Sequence, residues 1–231
     1  MKLGILETGA PPEALVDRFG GYGEMMRRML GPAFPTTVYD VRSGQLPSDG
    51  AECDGWLITG SAAGVYDPDP WIGDLTTFLR EASGAAPMVG ICFGHQVMAQ
   101  AFGGEVVKSP KGWGVGLHTY EVERAYPWMD STASISLSVS HQDQVVSLPP
   151  GAEVVASSAF TPLAVLAYPD RRALSLQAHP EFDADYTRAL IASRRGSRID
   201  EDFADAAIGS LAGEDDRQRV AVWLRRFLTS V

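Results

Sequence analysis

The residue best suited to nucleophilic chemistry is Cys92, which lies between Gly90 and Gly94. The apolar run 88–91 predicts a buried strand, and helical spacing begins directly after the cysteine. A Gly-x-Cys-x-Gly sequence between a strand and a helix is typical of a nucleophile elbow, a sharp turn that exposes the nucleophile. The helix start favours a thiolate there, and the Phe93 N–H can donate to an oxyanion. The alternative is that Cys92 is only a small buried apolar side chain, as most free cysteines are.

A cysteine nucleophile needs a base, and His179 is the best candidate because it directly follows a predicted strand. Pro180 restricts His179 to extended backbone, in which residues i and i+2 project to the same side. Glu181 can therefore reach one ring nitrogen and leave the other for Cys92. A His-Pro-Glu sequence by itself is a weak signal, but together with the elbow it favours a Cys-His-Glu catalytic site.

The other three histidines are assigned different roles. We interpret His118, which alternates within a strand, as structural, and His95, in the first turn after the cysteine, as a packing residue. His141 is the alternative base. No two histidines have helical ligand spacing, so no metal is expected. Met26 replaces the third glycine of a dinucleotide fingerprint, so no cofactor is expected either.

Composition limits the class of protein and its partners. The 231 residues are 45% hydrophobic and 21% charged, as in ordinary globular proteins, with a net charge of −10. That charge argues against nucleic acid, and no apolar run is long enough for a membrane span. Without a visible signal peptide, and with only two cysteines, the cytoplasm is the expected location. Cys53 is expected to be an unimportant thiol in a polar loop.

Strands and helices alternate over the first hundred residues, which predicts an α/β fold with a mostly parallel sheet flanked by helices. Asp69 is expected to cap a helix that begins at Pro70. Short strands between 105 and 176 predict added antiparallel strands without a separate domain. We expect a single domain over 1–231, with helices of about 196–231 as an appendage and an acidic, mobile stretch at 195–217. The predicted strands are 3–6, 36–41, 56–59, 88–91, 115–122, 135–139, 153–157, 163–168 and 172–177.

Five motifs together resemble the class I glutamine amidotransferases, and among them the stand-alone proteins related to the amidotransferase domain of GMP synthase. The resemblance extends to the last helices and implies the flavodoxin-like sheet of that family. The motifs are Gly60-Ser61 after the third strand, the elbow from Gly90 to Gln96, Trp113-Gly114-Val115, Ser140-His141-Gln142-Asp143, and His179-Pro180-Glu181-Phe182.

The resemblance implies roles for the matching residues. Cys92 would be the nucleophile, His179 the general base and Glu181 its orienting carboxylate. Gly60 and Phe93 would supply the two N–H groups of an oxyanion hole. One departure concerns the Gly60 loop, because many members have Gly-Gly-Pro where this chain continues with serine and alanine.

The resemblance also implies a substrate and a reaction. Gln96, Ser140 and His141 would hold the amino and carboxylate end of glutamine or another γ-glutamyl compound, whose amide is cleaved through a cysteine thioester. One alternative is an ammonia-supplying subunit of a separate synthetase, since no phosphate-binding loop is present. Others are a cysteine peptidase or γ-glutamyl hydrolase on the same fold, and a non-catalytic regulatory module.

Overall fold

The computed structural model describes residues 1–230, which form an α/β protein. In chain order the elements are β1 (Leu3–Glu7), α1 (Glu13–Phe19), α2 (Tyr22–Leu30), β2 (Thr36–Asp40), a 3₁₀ turn (Val41–Ser43), β3 (Gly55–Ile58), α3 (Pro70–Glu81), β4 (Met88–Ile91), α4 (Phe93–Ala101), β5 (Glu105–Lys108), β6 (Gly114–Val122), β7 (Ser134–His141), β8 (Asp143–Ser147), β9 (Glu153–Ser157), β10 (Val165–Tyr168), a 3₁₀ turn (Pro169–Arg171), β11 (Ala173–Leu176), α5 (Ala184–Ala192), α6 (Glu201–Ser210) and α7 (Arg217–Thr229).

One sheet of nine strands, in the order β2-β1-β3-β4-β11-β10-β9-β6-β7, organises the fold. Its first five strands are parallel, and the rest are joined by antiparallel pairing. The predicted α/β fold with added antiparallel strands is therefore confirmed. Strands β5 and β8 were not predicted and form a separate antiparallel pair. Each is too short to show a clear alternation of apolar residues in the sequence.

Helices cover both faces of the parallel strands. Alternate residues of β1 project to opposite faces, so Leu3 and Ile5 join one apolar core while Leu6 joins the other. Helices α2 and α7 pack on the first face, and α3 and α4 pack on the second. Trp223 and Leu224 of α7 lie in the same core as β1. The last helix therefore packs on the core as one of the layers that cover the sheet.

Two local expectations can be compared with the structure: the cap before α3 and the acidic stretch 195–217. Asp69 occupies the position before α3, but its side chain makes no capping hydrogen bond; the Ile72 N–H donates to the Asp69 backbone carbonyl instead. Inside the acidic stretch 195–217, residues Glu201–Ser210 form α6, whose Ala204 and Ala207 are buried against β6. The acidic side chains of this helix remain on its outer face.

Across residues 1–230, no helix is both long enough and apolar enough to cross a membrane. The assignment of one domain over 1–231 stays a prediction.

The packing of α7 generates a stability prediction. Trp223 is 3% exposed and its indole N–H donates to Asp130 at 2.9 Å. Replacing Trp223 with alanine is expected to lower the free energy of unfolding by about 3–5 kcal/mol, because it leaves a cavity in the core. Urea unfolding followed by circular dichroism measures this. Phe203→Ala is the control, because Phe203 is 46% exposed; equal losses in both variants would contradict the assignment of α7 to the core.

Candidate active site

Cys92 occupies the sharp turn between β4 and α4, at the carboxyl end of the parallel strands. Its backbone angles are φ 54° and ψ −102°, a conformation that residues other than glycine avoid. The Cys92 N–H donates to the carbonyl of Leu176, at the end of the neighbouring strand β11, at 2.8 Å. Such backbone strain costs about 1–3 kcal/mol and persists where the surrounding structure imposes it. The turn has the sharp strand-to-helix geometry that the sequence predicts for this segment.

The two glycines of the elbow are needed because neither position has room for a side chain. A Cβ on Gly90 would lie 2.5 Å from the Gly94 carbonyl oxygen and equally close to the sulfur of Met98. A Cβ on Gly94 would overlap the Ile58 carbonyl oxygen of β3. Gly90 is therefore constrained by Gly94 itself, whereas Gly94 is constrained by the neighbouring strand β3. The Gly94 N–H also donates to the Thr59 carbonyl at 3.1 Å.

His179 and Glu181 reach the elbow because β11 pairs in parallel with β4, with Leu176 opposite Ile91. The residues that follow both strands therefore emerge at the same edge of the sheet. The His179 Nδ1 lies 2.7 Å from Glu181 Oε1, and the two side chains are 4% and 0% exposed. The second ring nitrogen of His179 remains for Cys92, as the i, i+2 spacing predicts.

The backbone of Gly60 and that of Phe93 both lie next to Cys92. A Cβ on Gly60 would lie 3.0 Å from His179 Cε1 and 3.6 Å from Cys92 Cβ, so this backbone packs against both side chains. Phe93 is the first residue of α4, and its N–H has no helical carbonyl one turn earlier. The Gln96 N–H, in contrast, donates to the Cys92 carbonyl at 3.0 Å.

The electrostatic environment favours a protonated His179. Burial lowers the pKa of His179, but Glu181 and Cys92 oppose burial and together raise the pKa from 6.5 to about 10. The imidazolium is therefore the favoured form at neutral pH. Because the pKa is higher in the folded protein, this interaction stabilises the fold fully below pH 6.5 and is lost as the pH rises towards 10.

An aromatic cluster fixes the orientation of the His179 ring. Phe182 stacks on the imidazole with ring centroids 3.9 Å apart and planes 4° apart. Tyr186 packs edge-on against Phe182 at 4.4 Å, and Tyr22 lies 5.8 Å from it. The Tyr186 hydroxyl donates to the Tyr22 hydroxyl at 3.4 Å. One face of the imidazole is therefore covered, while Glu181 holds its edge.

A pocket of about 590 Å³ opens above Cys92. It brings together four of the predicted site residues, Cys92, Gln96, Ser140 and His141, while the backbone of Gly60 lies beside Cys92. Such a volume is typical of small-molecule sites. The pocket is lined by Ser61, Ala62, Ala63, Gly64, Tyr66, Asp67, Cys92, Gln96, Lys108, Trp113, Ser140, His141, Gln142, Asp143, Arg194 and Arg198.

The carbonyl oxygen of Asp143 organises two of the predicted substrate residues. It accepts hydrogen bonds from Gln96 Nε2 at 3.0 Å and from His141 Nδ1 at 3.1 Å. Burial lowers the pKa of His141 to about 3, so His141 is neutral with Nε2 as an acceptor. His141 has no carboxylate on its ring, whereas His179 has Glu181. This difference favours His179 as the base.

The remaining two histidines lie where packing residues are expected. His95 is fully buried, its Nδ1 lies 2.8 Å from Ser175 Oγ, and burial lowers its pKa to about 3. His118 packs edge-on against Phe160, and burial also lowers its pKa. Neither histidine lines the pocket. Cys53 is buried, not in an open loop, because Tyr39 and the core beside β3 cover it.

Comparison with known proteins agrees with this geometry. The family model "Glutamine amidotransferase class-I" matches residues 14–194, which is most of the chain. The chain belongs to the class I glutamine amidotransferase family.

Three relatives illustrate the range of proteins to which the chain is similar. A glutamine amidotransferase-like protein of Schizosaccharomyces pombe is 27% identical over 98% of both chains. Gamma-glutamyl peptidase 5 of Arabidopsis thaliana is 27% identical over 91% of this chain and 88% of its own. A glutamine-hydrolysing GMP synthase of Thermus thermophilus is 32% identical over 65% of this chain, a match that spans 27% of the synthase.

A solved structure supports the fold. The crystal structure of a glutamine amidotransferase from Thermotoga maritima superposes with a TM-score of 0.73 at 19% identity, covering 99% of this chain and 98% of that one.

The sequence did not predict a role for several of the residues that line the pocket. Trp113 and Asp143 belong to motifs already recognised, so their position in a site has a sequence signal. Lys108, Arg194 and Arg198 have none, because they are distant in sequence from the elbow and from the His-Pro-Glu motif. Only the tertiary structure brings them to Cys92.

The electrostatics of His179 can be tested by replacing Glu181 with glutamine. The amide keeps a hydrogen-bond acceptor but removes the negative charge, so the pKa of His179 is expected to fall from about 10, because Cys92 alone then opposes the effect of burial. Nuclear magnetic resonance titration of isotope-labelled histidines measures this. The His118 signal serves as the internal control. A His179 pKa that stays near its original value would show that Glu181 is not the cause.

Proposed function

We propose that the protein hydrolyses the γ-amide of glutamine or of a γ-glutamyl compound, with Cys92 as the nucleophile. One observation carries the proposal: the strained Cys92 lies at the base of a pocket, beside a buried histidine that is hydrogen-bonded to a carboxylate. Membership of the class I glutamine amidotransferase family supports the same chemistry. A merely structural cysteine would need neither the strained backbone nor the charged partner.

Acylation is the first step. The Cys92 thiolate attacks the δ-carbonyl carbon, forming a carbon–sulfur bond and an oxyanion. The carbon–nitrogen bond then breaks, and protonated His179 donates its proton to the leaving nitrogen. The raised pKa of His179 suits this step, because the imidazole already carries the proton that the amine needs.

Hydrolysis of the thioester completes the cycle. Neutral His179 takes a proton from water, whose oxygen attacks the same carbon. The carbon–sulfur bond breaks to release the Cys92 thiolate and the γ-carboxylic acid of glutamate, which gives its proton to the released amine or to solvent. Glu181 holds the imidazole through Nδ1 and stabilises its positive charge in both steps.

The N–H groups of Gly60 and Phe93 are the proposed donors to the oxyanion. Both flank Cys92, and Phe93 lies at the positive end of α4. Each well-placed donor is worth about 3 kcal/mol of barrier height. The serine and alanine after Gly60 do not disturb this proposal, because the donor is a backbone group. Gln96, Ser140 and His141 are the proposed contacts for the amino and carboxylate end of the glutamyl group.

Independent hydrolysis is the preferred form of the activity. The relatives that match nearly their whole length include γ-glutamyl peptidases, and a pocket of about 590 Å³ has room for more than glutamine. The similarity to part of a GMP synthase supports a second candidate, an ammonia-supplying subunit for a synthetase. The cytoplasm is the proposed location, because both cysteines are free thiols and the nucleophile needs a reducing compartment.

Hydrolysis of glutamine and a panel of γ-glutamyl amides tests the function. An ordinary enzymatic kcat, on the order of 1–10 s⁻¹ or more, is expected on at least one compound. Cys92→Ser and His179→Ala are expected to lower kcat by at least about a thousandfold. His141→Ala is expected mainly to raise KM, because a binding residue contacts ground and transition states alike.

Chemical labelling supplies a control within the same chain. A glutamine-like diazoketone is expected to modify Cys92, which lines the pocket, and to spare Cys53, which is buried in the core. Label found mainly on Cys53, or exchanged phenotypes of the two histidine variants, would contradict the catalytic assignment. Negligible rates on every compound that rise when a synthetase is added would favour the ammonia-supplying subunit.

The stacking of Phe182 on His179 predicts a positioning role. Phe182→Leu is expected to lower kcat about tenfold with little change in KM, because the imidazole gains rotational freedom without losing a substrate contact. Tyr186→Phe is the control, since it keeps the ring against Phe182 and removes only a hydroxyl. Broadening of the His179 signals in nuclear magnetic resonance spectra should accompany the loss of kcat. An unchanged kcat in Phe182→Leu would show that the stack has no positioning role.

A further inference from the structure

One side of the pocket carries a group of positive charges that the proposed mechanism does not use. Lys108 at the end of β5, together with Arg194 and Arg198 after α5, lines the same cavity as Cys92. These residues come from two parts of the chain that are far apart in sequence. We refer to Lys108, Arg194 and Arg198 as the cationic wall.

The cationic wall differs from the neighbouring Arg195 in its partners. Within the described residues, none of its three members forms a salt bridge. Arg194 donates to the neutral Ser140 hydroxyl at 2.6 Å, and its guanidinium lies 5.5 Å from the centre of the Trp113 ring. Arg195, the next residue, points away and binds Asp205 through two hydrogen bonds of 2.8 Å. Adjacent arginines therefore differ: the one outside the pocket is paired and the one inside is not.

The acidic groups of the pocket have other partners. Asp143 accepts a hydrogen bond from the Tyr66 hydroxyl at 2.8 Å, and Asp67 accepts one from the Gly64 N–H at 2.8 Å. Neither carboxylate makes a salt bridge with the cationic wall. Lys108 lies opposite Asp143 in the β5–β8 pair, so the two arginines are the cations of the lining that have no carboxylate as a strand neighbour.

The unpaired positive charges have an electrostatic cost. Burial lowers the pKa of Arg194, and the nearby positive charge of Arg198 acts in the same direction. An anion in the pocket would relieve both effects, because it would pair with the guanidinium groups where water is limited. The protein has a net charge of −10, so a local positive region is also a means of attracting an anionic substrate that the rest of the surface repels.

A glutamyl group alone does not account for the cationic wall. It carries one carboxylate and one ammonium, whereas three cations line the pocket. The leaving group of glutamine is ammonia, which has nothing for a cation to bind. The pocket volume of about 590 Å³ is also much larger than a single amino acid needs, which supports the same conclusion.

We propose that the cationic wall binds a carboxylate on the leaving amine, so that the preferred substrate is a γ-glutamyl amide of an amino acid or short peptide rather than glutamine. This inference rests on the proposed hydrolysis and assigns its specificity. Arg194 and Arg198 are the main determinants, because a guanidinium can donate two hydrogen bonds to one carboxylate. The products are glutamate and an amino acid or peptide with a free amine.

A matched pair of substrates tests the proposal. γ-Glutamylglycine and γ-glutamylglycinamide differ only in whether the leaving amine carries a carboxylate or a neutral amide. Wild-type protein is expected to have a kcat/KM at least about tenfold higher for γ-glutamylglycine, which corresponds to about 1.4 kcal/mol. Arg194→Met and Arg198→Met are each expected to reduce this ratio to about threefold or less, and the double variant to abolish it. Arg195→Met is the matched control and should keep the full ratio.

Binding to the Cys92→Ser variant separates this inference from the proposed function. Calorimetry should show tighter binding of γ-glutamylglycine than of γ-glutamylglycinamide, and added Arg194→Met or Arg198→Met should remove the difference. If no compound is hydrolysed but this preference is found, the proposed function fails and the anionic subsite stands. Equal kcat/KM values for the two substrates in wild type would overturn the subsite. Arginine variants that lose both substrates in the same proportion would also overturn it, since they would act on the glutamyl half.

Discussion

The pairing of β4 with β11 is the constraint on which the site depends. The register that sets Ile91 opposite Leu176 brings Cys92 and His179 from distant parts of the chain to one edge of the sheet. The Cys92 N–H bonds the end of β11 directly, so the strained turn is anchored to the strand that delivers the histidine. A shift of two residues in this register would move the histidine by more than 6 Å along the strand, and the sulfur would lose its partner.

Burial of a charged pair is costly, and for His179 the surrounding groups outweigh that cost. Desolvation opposes the imidazolium, but Glu181, held at 2.7 Å, and Cys92 together more than compensate, and the pKa of His179 rises. The second oxygen of Glu181 has no hydrogen-bond partner within residues 1–230. An arrangement designed for stability alone would satisfy that oxygen or replace the pair with apolar side chains. The buried charge of the His179–Glu181 pair and the stacking of Phe182 therefore suit the proposed proton transfer.

The local geometry around Cys92 and His179 was predictable because its sequence signals are local. Two glycines around Cys92, and a proline and a glutamate after His179, each fix backbone geometry within a few residues. The alternation of strands and helices then placed both motifs at one edge of a parallel sheet. The pairing of β5 with β8 and the position of Arg194 were not predictable in this way. Both depend on tertiary contacts between segments whose own sequences have no distinctive pattern.

The predictable residues and the unpredicted ones come from different parts of the fold. The parallel strands and α4 supply Cys92, Gln96 and the strand end before His179, so the bond-breaking groups come from the most constrained part of the molecule. Other parts of the pocket lining come from β5, the segment before β6 and the segment after α5, which deliver Lys108, Trp113 and Arg194. Changes in those peripheral segments can alter the leaving-group side of the pocket without moving the nucleophile. Specificity in such a fold is therefore best sought where the chain departs from the parallel sheet.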